Sequence, residues 1–141
     1  MNHEIEKIRA VTELSTDLSV ITAEINAYKS LAGEAIFEIG RRLKHVKEND
    51  LAHGQFGKWL ESVEIDRTLA TRLMKIATEL DPKYATWHKL SMRVLYEIAT
   101  LPPDEREKPH TIPSTGETKM VDEMTTRELQ EVKKALKAEQ E

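Results

Sequence analysis

The sequence predicts an all-α protein with a long N-terminal helix, a helix-turn-helix core and a small C-terminal helical extension. Three observations support this prediction. Charged residues make up 33% and aromatic residues 5% of the 141 residues, which is typical of helices with solvated faces and unlike the aromatic and β-branched composition of a β-sandwich. Five Gly and five Pro are too few for the many tight turns of an all-β fold. Apolar residues also recur at helical spacing.

The first helix is predicted over residues 17–48, where no proline interrupts the pattern. Asp17 or Thr16 can cap its start. At 1.5 Å per residue it would be roughly 45–50 Å long, which exceeds what a domain of this size needs. We therefore expect one half to pack on its own domain and the other half to meet a partner helix. Its apolar stripe, close to a heptad repeat with one slip near Ile39, consists of Leu18, Ile21, Ile25, Tyr28, Ala32, Ala35, Ile39, Leu43 and Val46.

This stripe has two interpretations. It is either the core-facing side of an intramolecular helix or a dimerisation surface. We favour a homodimer, because DNA-binding proteins that read two-fold symmetric sites act as dimers. Two glycines of the helix, Gly33 and Gly40, are either weak points or places where another element approaches closely. The predicted dimer seam consists of Ile21, Ile25, Tyr28 and Ala32.

Helix-capping and helix-breaking residues divide the chain into three predicted segments. Residues 1–16 are expected to be a flexible or short-helix lead-in. Residues 17–81 hold the long helix and the helix-turn-helix core, and residues 82–141 form the C-terminal extension. Within that extension, residues 108–124 contain two prolines, one glycine and few apolar side chains, so we expect a mobile loop there.

Local signals place the remaining helices. A second helix is predicted over 55–63 after the bend at His53-Gly54. A third is predicted over 67–80, and further helices over 92–99 and 126–138. The residues placed to cap the last three starts are Asp66, Ser91 and Thr125, the last in a capping box with Glu128.

Residues 56–76 carry the most information about function. A helix-turn-helix buries an i, i+4 pair of its first helix, one aliphatic residue of the turn, and a small residue and an aliphatic residue of its second helix. The segment offers these types in that order. The predicted inward residues are Trp59, Val63, Ile65, Ala70 and Leu73, with Met74 and Ala77 extending the stripe.

The outward face of the third helix then becomes a candidate DNA-reading surface. Arginine can bond guanine bidentately, and threonine can bond a base edge or touch a thymine methyl group. Lysines can position the protein on phosphates without reading sequence. The predicted base contacts are Arg67, Thr68, Thr71 and Arg72, and the predicted phosphate contacts are Lys58, Lys75 and Lys47.

Two residues depart from the usual helix-turn-helix pattern. Glu64 stands at the turn position that glycine usually takes, and Leu60 stands where the first helix usually has a small residue. Glu64 and Asp66 also place negative charge near the expected phosphate path. On the pattern alone, a helical hairpin with a merely solvated polar face is an equally good interpretation.

A family resemblance adds to this. The segments Ile39-Gly40-Arg41-Arg42-Leu43, His53-Gly54-Gln55-Phe56-Gly57-Lys58-Trp59-Leu60 and Thr68-Leu69-Ala70-Thr71-Arg72-Leu73-Met74 resemble an uncharacterised domain-of-unknown-function family of phages, plasmids and integrated mobile elements. Later segments also resemble that family's tail, so the resemblance spans most of the chain. It implies a mobile-element setting with helix-turn-helix DNA binding, and it implies no activity, substrate or cofactor.

Several classes of function have no support in the residues. There is no cysteine, no phosphate-binding glycine loop and no serine in a nucleophile-elbow context. No two of the five histidines stand at i, i+3 or i, i+4 spacing, and the one His–Glu pair at that spacing, His45 and Glu48, lacks the second pair that a metal site in a helix bundle needs. We therefore expect no enzyme, metal or cofactor. No apolar run is long enough to span a membrane, and the N-terminus lacks the apolar stretch of a signal peptide. We expect a cytoplasmic location in a bacterial host cell.

Two functions remain. The first is a DNA-binding regulatory or accessory protein of a bacterial mobile element, with double-stranded DNA as its partner. The alternative is a phage or plasmid interaction module that modulates or inhibits a host protein such as a defence nuclease. The net charge of −4 and the acidity of residues 1–40, which carry 7 acidic and 3 basic groups, favour the alternative. The net-positive charge of residues 41–80, with 8 basic and 6 acidic groups, favours the first.

Overall fold

The computed structural model describes residues 14–83 and 85–140, so most of the lead-in predicted over residues 1–16 lies outside the described ranges. The described residues confirm the all-α prediction. None of their helices combines the length and the apolar composition that crossing a bilayer requires. The helices are α1 (Leu18–Glu48), α2 (Phe56–Ser62), α3 (Arg67–Glu79), α4 (Ala85–His88), α5 (Met92–Ala99) and α6 (Thr126–Gln140). The shorter elements are the strands β1 (His110–Thr111) and β2 (Thr118–Lys119) and the 3₁₀ turns Pro103–Glu105 and Val121–Glu123.

Helices α1, α3, α5 and α6 begin where polar side chains satisfy some of their free amides. Asp17 accepts hydrogen bonds from the Ser19 hydroxyl at 2.7 Å and from the Ser19 amide at 3.0 Å, and these bonds, the hydroxyl's first, hold the pKa of Asp17 below its usual value. At the start of α6, the Thr125 hydroxyl accepts from the Glu128 amide and the Glu128 carboxylate accepts from the Thr125 amide. The caps predicted at Asp17, Asp66, Ser91 and Thr125 are confirmed.

Two glycines set how α1 packs on the rest of the chain. A Cβ atom at Gly33 would overlap the backbone of His88 in α4, and one at Gly40 would overlap the Leu73 carbonyl and approach the Ala77 side chain in α3. Both positions are therefore close approaches between backbones, which only glycine permits. Helix α1 makes its most extensive contacts with α3 through the second of these sites.

The buried side of α1 differs from the predicted apolar stripe. It is centred on Gly33, Phe37, Gly40 and Leu43, whereas Ile39 of the predicted stripe is 41% exposed. Only the last members of the stripe, Leu43 and Val46, turn toward the domain. The buried side does not show in the apolar pattern because two of its four residues are glycines. Glycine does not count as an apolar residue in such a pattern, although the lack of a side chain allows the closest helix packing.

The core consists of two adjoining clusters. Ile36 and Met92 pack against both of them, so they connect the clusters into one body. The smaller cluster joins α1, α2 and α3 through Leu43, Leu60, Ala70 and Leu73. The larger joins α1, α3, α5, α6 and the segment between α5 and α6 through Phe37, Ile76, Leu80, Leu95, Ile98, Ala99, Leu101, Ile112, Val121, Met124, Leu129 and Val132.

Helix α2 is rotated relative to the prediction. Leu60 is its buried residue, Trp59 is half-buried, and Val63 is 42% exposed. The predicted inward pair Trp59 and Val63 is therefore wrong for Val63. The reason is length: α2 ends at Ser62, so Val63 is its C-terminal cap and not part of its inward face. The predicted burial of Ala70 and Leu73 is confirmed.

A small hairpin lies within residues 108–124, the segment predicted as a mobile loop. Strands β1 and β2 pair antiparallel, with His110 opposite Lys119 and Thr111 opposite Thr118. The flanking residues Ile112, Val121 and Met124 are all buried in the larger cluster. The sequence pattern did not predict the two short strands or the packing of these three side chains, because three apolar residues are too sparse to form a periodic pattern.

The side chain of Arg106 ties this C-terminal part to α3 and α5. Its Nε donates to the carbonyls of Ile98 at 3.0 Å and Leu101 at 3.1 Å. Its Nη1 donates to the Glu79 carbonyl at 3.0 Å, and its Nη2 donates to the Ala99 carbonyl at 2.8 Å and to the Glu79 carboxylate at 3.1 Å. The guanidinium thereby satisfies carbonyls at the C-terminal ends of both helices, which otherwise have no intrahelical partner.

We expect Gly40→Ala to lower the free energy of unfolding by about 1–3 kcal/mol, because the added methyl group forces α1 away from α3. Urea denaturation measures this. The reverse change at exposed Ala27 in the same helix, Ala27→Gly, measures helix propensity alone, at about 0.5–1 kcal/mol. A gain in stability for Gly40→Ala would contradict the close approach.

We expect Arg106→Lys to lower the free energy of unfolding by about 2–4 kcal/mol, because lysine cannot reach the same carbonyls with a planar fork of donors. Arg93→Lys, at an exposed position on α5, is the matched control and should cost less than about 0.5 kcal/mol. Equal effects of the two changes would show that the Arg106 hydrogen bonds contribute little.

Candidate nucleic-acid interface

The outward face of α3 is set by its cap and its buried side. The Asp66 carboxylate accepts from the Leu69 amide at 2.7 Å and starts the helix. Ala70, Leu73 and Ile76 then face the core. The predicted contacts Arg67, Thr68, Thr71, Arg72 and Lys75 are all exposed on the opposite side of the helix.

Arg67 lies at the junction of α3 and α2. A Cβ atom at Gly57 would come within 2.5 Å of the Arg67 Nη2 atom, so the guanidinium crosses α2 where that helix has no side chain. The Thr71 hydroxyl donates to the Arg67 carbonyl at 2.8 Å. Both residues line a cleft of about 280 Å³ together with Lys47. Gly57 therefore has a role in the site that the sequence pattern did not indicate.

Arg72 packs on an aromatic ring that the sequence analysis missed. Its Cζ atom lies 5.1 Å from the centroid of the Tyr96 ring in α5, within the range of a cation–π interaction. The four predicted base contacts and Tyr96 line one shallow cleft. No sequence pattern pointed to Tyr96, because it lies 24 residues after Arg72 in an ordinary amphipathic helix.

The C-terminal turns of α1 add basic groups beside α3. Lys44 and Lys47 line a third cleft with Thr71 and Lys75, and the Lys47 ammonium lies 6.0 Å from the Phe56 ring centroid. This arrangement follows from the close contact at Gly40, four residues before Lys44. The three clefts share Thr71, so they form one continuous surface, which we call the α3 face. We define it by Lys44, Lys47, Arg67, Thr68, Thr71, Arg72, Lys75 and Tyr96.

Two carboxylates also border the α3 face. Glu48 lies 3.8 Å from the Lys44 ammonium, and Glu79 lies 3.4 Å from the Lys75 ammonium. The hydrogen bond from Arg106, followed by the one from Lys75, holds the pKa of the Glu79 carboxyl below its usual value. Because Arg106 binds the other carboxylate oxygen, Glu79 keeps a partner when Lys75 bonds elsewhere.

The other acidic groups near the turn stay away from this surface. Glu61 and Glu64 are exposed but line none of the three clefts. Glu64 has a φ of 58°, the left-handed conformation that glycine would supply in such a turn. Lys58 is exposed on α2, and it lines none of these clefts either, so the structure does not group it with the other predicted phosphate contacts.

The predicted dimer seam lies at the opposite end of α1. Ile25 and Tyr28 are 53% and 61% exposed, Ala32 is exposed and Ile21 is half-buried. Among residues 14–83 and 85–140, no group of three or more His, Asp or Glu side chains is arranged to hold a metal ion.

A family profile described as "Protein of unknown function (DUF3102)" matches residues 16–136. The chain belongs to the DUF3102 family. The match includes all of α1 to α5 and most of α6, so both the α3 face and the exposed half of α1 are parts of the DUF3102 region. Comparisons with curated proteins and with solved structures found no significant match.

We expect the free energies of unfolding of Arg72→Met, Tyr96→Leu and the double variant to show a coupling of about 0.5–1 kcal/mol, because each single change removes the same cation–π contact. Urea denaturation of the four proteins measures it. Tyr96→Phe, which keeps the ring, is the control and should retain the coupling. Additive single effects would mean that Arg72 and Tyr96 do not interact.

Proposed function

We propose that this chain binds double-stranded DNA through the α3 face, as a regulatory or accessory protein of a bacterial mobile element. The observation that carries the proposal is the grouping of Arg67, Thr68, Thr71 and Arg72 around one exposed cleft on the N-terminal part of α3. In helix-turn-helix proteins the N-terminal residues of the second helix contact base edges in the major groove.

The side chains of the α3 face fit such a role chemically. Two arginines supply bidentate donors for guanine, and two threonines supply a hydroxyl and a methyl group for base edges. The stacking of Arg72 on Tyr96 restricts the guanidinium before binding, which reduces the entropy lost when it meets a base. Lys47 and Lys75 are the phosphate contacts in this proposal.

The charge distribution along the helix supports it as well. The Asp66 carboxylate is engaged as a helix cap, and Glu79 is engaged by Arg106. Lys75 can therefore move from Glu79 to a phosphate without leaving the carboxylate alone. The mobile-element setting and the cytoplasm of a bacterial host come from the family resemblance and are part of the proposal.

A second candidate is an interaction module that binds and modulates a host protein. One observation favours it: Leu18, Ile25, Tyr28 and Leu31 on the N-terminal half of α1 are 77%, 53%, 61% and 59% exposed. Contiguous exposed apolar surface marks a protein-interaction site. This candidate uses a different surface from the α3 face, so the two can be tested separately.

Fluorescence anisotropy with a mixed genomic fragment library, at roughly 50 and 200 mM salt, tests the first candidate. Several phosphate contacts should make affinity fall about a hundredfold or more between these concentrations. An arginine that reads a base contributes about 1–3 kcal/mol, so Arg67→Ala/Arg72→Ala should weaken binding by at least roughly thirtyfold.

The matched control is Arg127→Ala/Lys134→Ala, which removes two exposed positive charges from α6 and should weaken binding only slightly. A specific site can then be selected, and Arg72→Ala should relax specificity at one base pair. Equal weakening on all sequences would reassign Arg72 to a phosphate. Absence of binding at low salt would overturn the DNA proposal and favour the host-protein candidate, which a pull-down from host lysate would then examine.

A further inference from the structure

Helix α1 carries an apolar stripe that the described part of its own domain leaves largely exposed. The stripe runs along residues 18–39 with alternating spacings of three and four, so it follows a heptad pattern. On a helical wheel it lies about 100° from the side that packs on α3 and α4. Within the described residues, every member of this stripe is exposed except Ile21, which is half-buried. Its members are Leu18, Ile21, Ile25, Tyr28, Ala32, Ala35 and Ile39.

Along residues 22–31, the heptad pattern assigns two charged residues to the edges of the stripe. With Leu18 and Ile25 at a positions, Glu24 takes a g position and Lys29 takes the following e position. Both are exposed. In a parallel in-register pair of helices, Glu24 faces Lys29 of the second copy, and symmetry repeats the contact on the other side. In an antiparallel pair, g positions face g positions, so Glu24 and Lys29 do not meet.

We propose that α1 pairs with α1 of a second copy of this chain, parallel and in register, along residues 18–39. Charge complementarity selects this occupant, because Glu24 and Lys29 have opposite sign. The third charged residue at an e or g position of residues 18–39, Glu38, already pairs with Arg41 and Arg42 of its own helix. The small side chains of Ala32 and Ala35 let the helices approach closely but bury little area, so the dimer is of moderate affinity.

The parallel orientation has a consequence for the α3 face. A parallel pair places both copies of the C-terminal half of α1 at the same end of the assembly. Since Gly40 holds α3 against that half, both α3 faces lie at that end, related by a two-fold axis along the pair. Self-association itself does not rest on the DNA-binding proposal and is measured without DNA.

Sedimentation velocity of the full chain, from roughly 1 µM to 1 mM, tests the pairing. We expect a monomer–dimer equilibrium within this range, and Ile25→Asp should leave only monomer, because it places like charges in the seam. Ile25 is exposed in the single chain, so far-ultraviolet circular dichroism and the unfolding midpoint of a dilute sample should stay close to those of the wild type. A chain that is monomeric throughout overturns the proposal and leaves the stripe for a different protein. Persistence of the dimer in Ile25→Asp also overturns it.

A charge exchange tests the orientation. Glu24→Lys and Lys29→Glu should each raise the dimer dissociation constant roughly tenfold, because two symmetric pairs become repulsive. The double variant Glu24→Lys/Lys29→Glu should restore the wild-type constant. Glu34→Lys makes the same change of charge on an exposed position of α1 outside the e and g positions, and it should have little effect. Failure of the double variant to recover overturns the parallel arrangement.

Discussion

The close approach of α1 to α3 at Gly40 is the constraint on which the rest of the arrangement depends. With no side chain at that position, the two backbones lie near enough for Phe37 and Leu43 to enter the core on either side. The same contact places Lys44 and Lys47, one and two turns later, beside the exposed face of α3. A bulkier residue would separate the helices, and the basic groups of α1 would no longer border the same surface as Arg67 and Thr71.

Arg106 provides the complementary constraint from the C-terminal side. Its guanidinium bonds backbone carbonyls at the ends of α3 and α5 and the Glu79 carboxylate. The segment after α5, which has few apolar residues, is thereby attached to the helices that present Arg72 and Tyr96. The hairpin then closes the larger cluster through Ile112 and its neighbours. Two independent contacts thus hold the α3 face in place: the close packing of α1 on α3 at Gly40, and the hydrogen bonds of the Arg106 guanidinium.

Sequence reasoning predicted the helices better than it predicted their contacts. Helix starts depend on local chemistry, so Asp17, Asp66, Ser91 and Thr125 were sufficient to locate them. The core-facing interpretation of the α1 stripe failed for most of its members, whereas the close approach considered at Gly33 and Gly40 is confirmed. The predicted burial of Val63 was wrong, because periodicity of apolar residues cannot reveal where a seven-residue helix ends. In the candidate site, the predicted α3 residues share one face because they lie on one helix. Tyr96, Gly57 and Lys44 were not predicted, because they belong to other helices that pack against α3.

The sequence by itself determined the helical class, the helix starts and the set of polar residues that α3 presents, because these follow from spacing and from capping within a few neighbouring residues. Tertiary structure decided which side of α1 is buried, that residues 108–124 pack as a hairpin, and which side chains surround Arg67 and Arg72. Those features depend on contacts between positions tens of residues apart, and the free energy of such contacts comes from shape and hydrogen bonding that no local pattern records. The exposed stripe of α1 belongs to both levels: its heptad spacing is visible in the sequence, and only the fold shows that the domain leaves it uncovered.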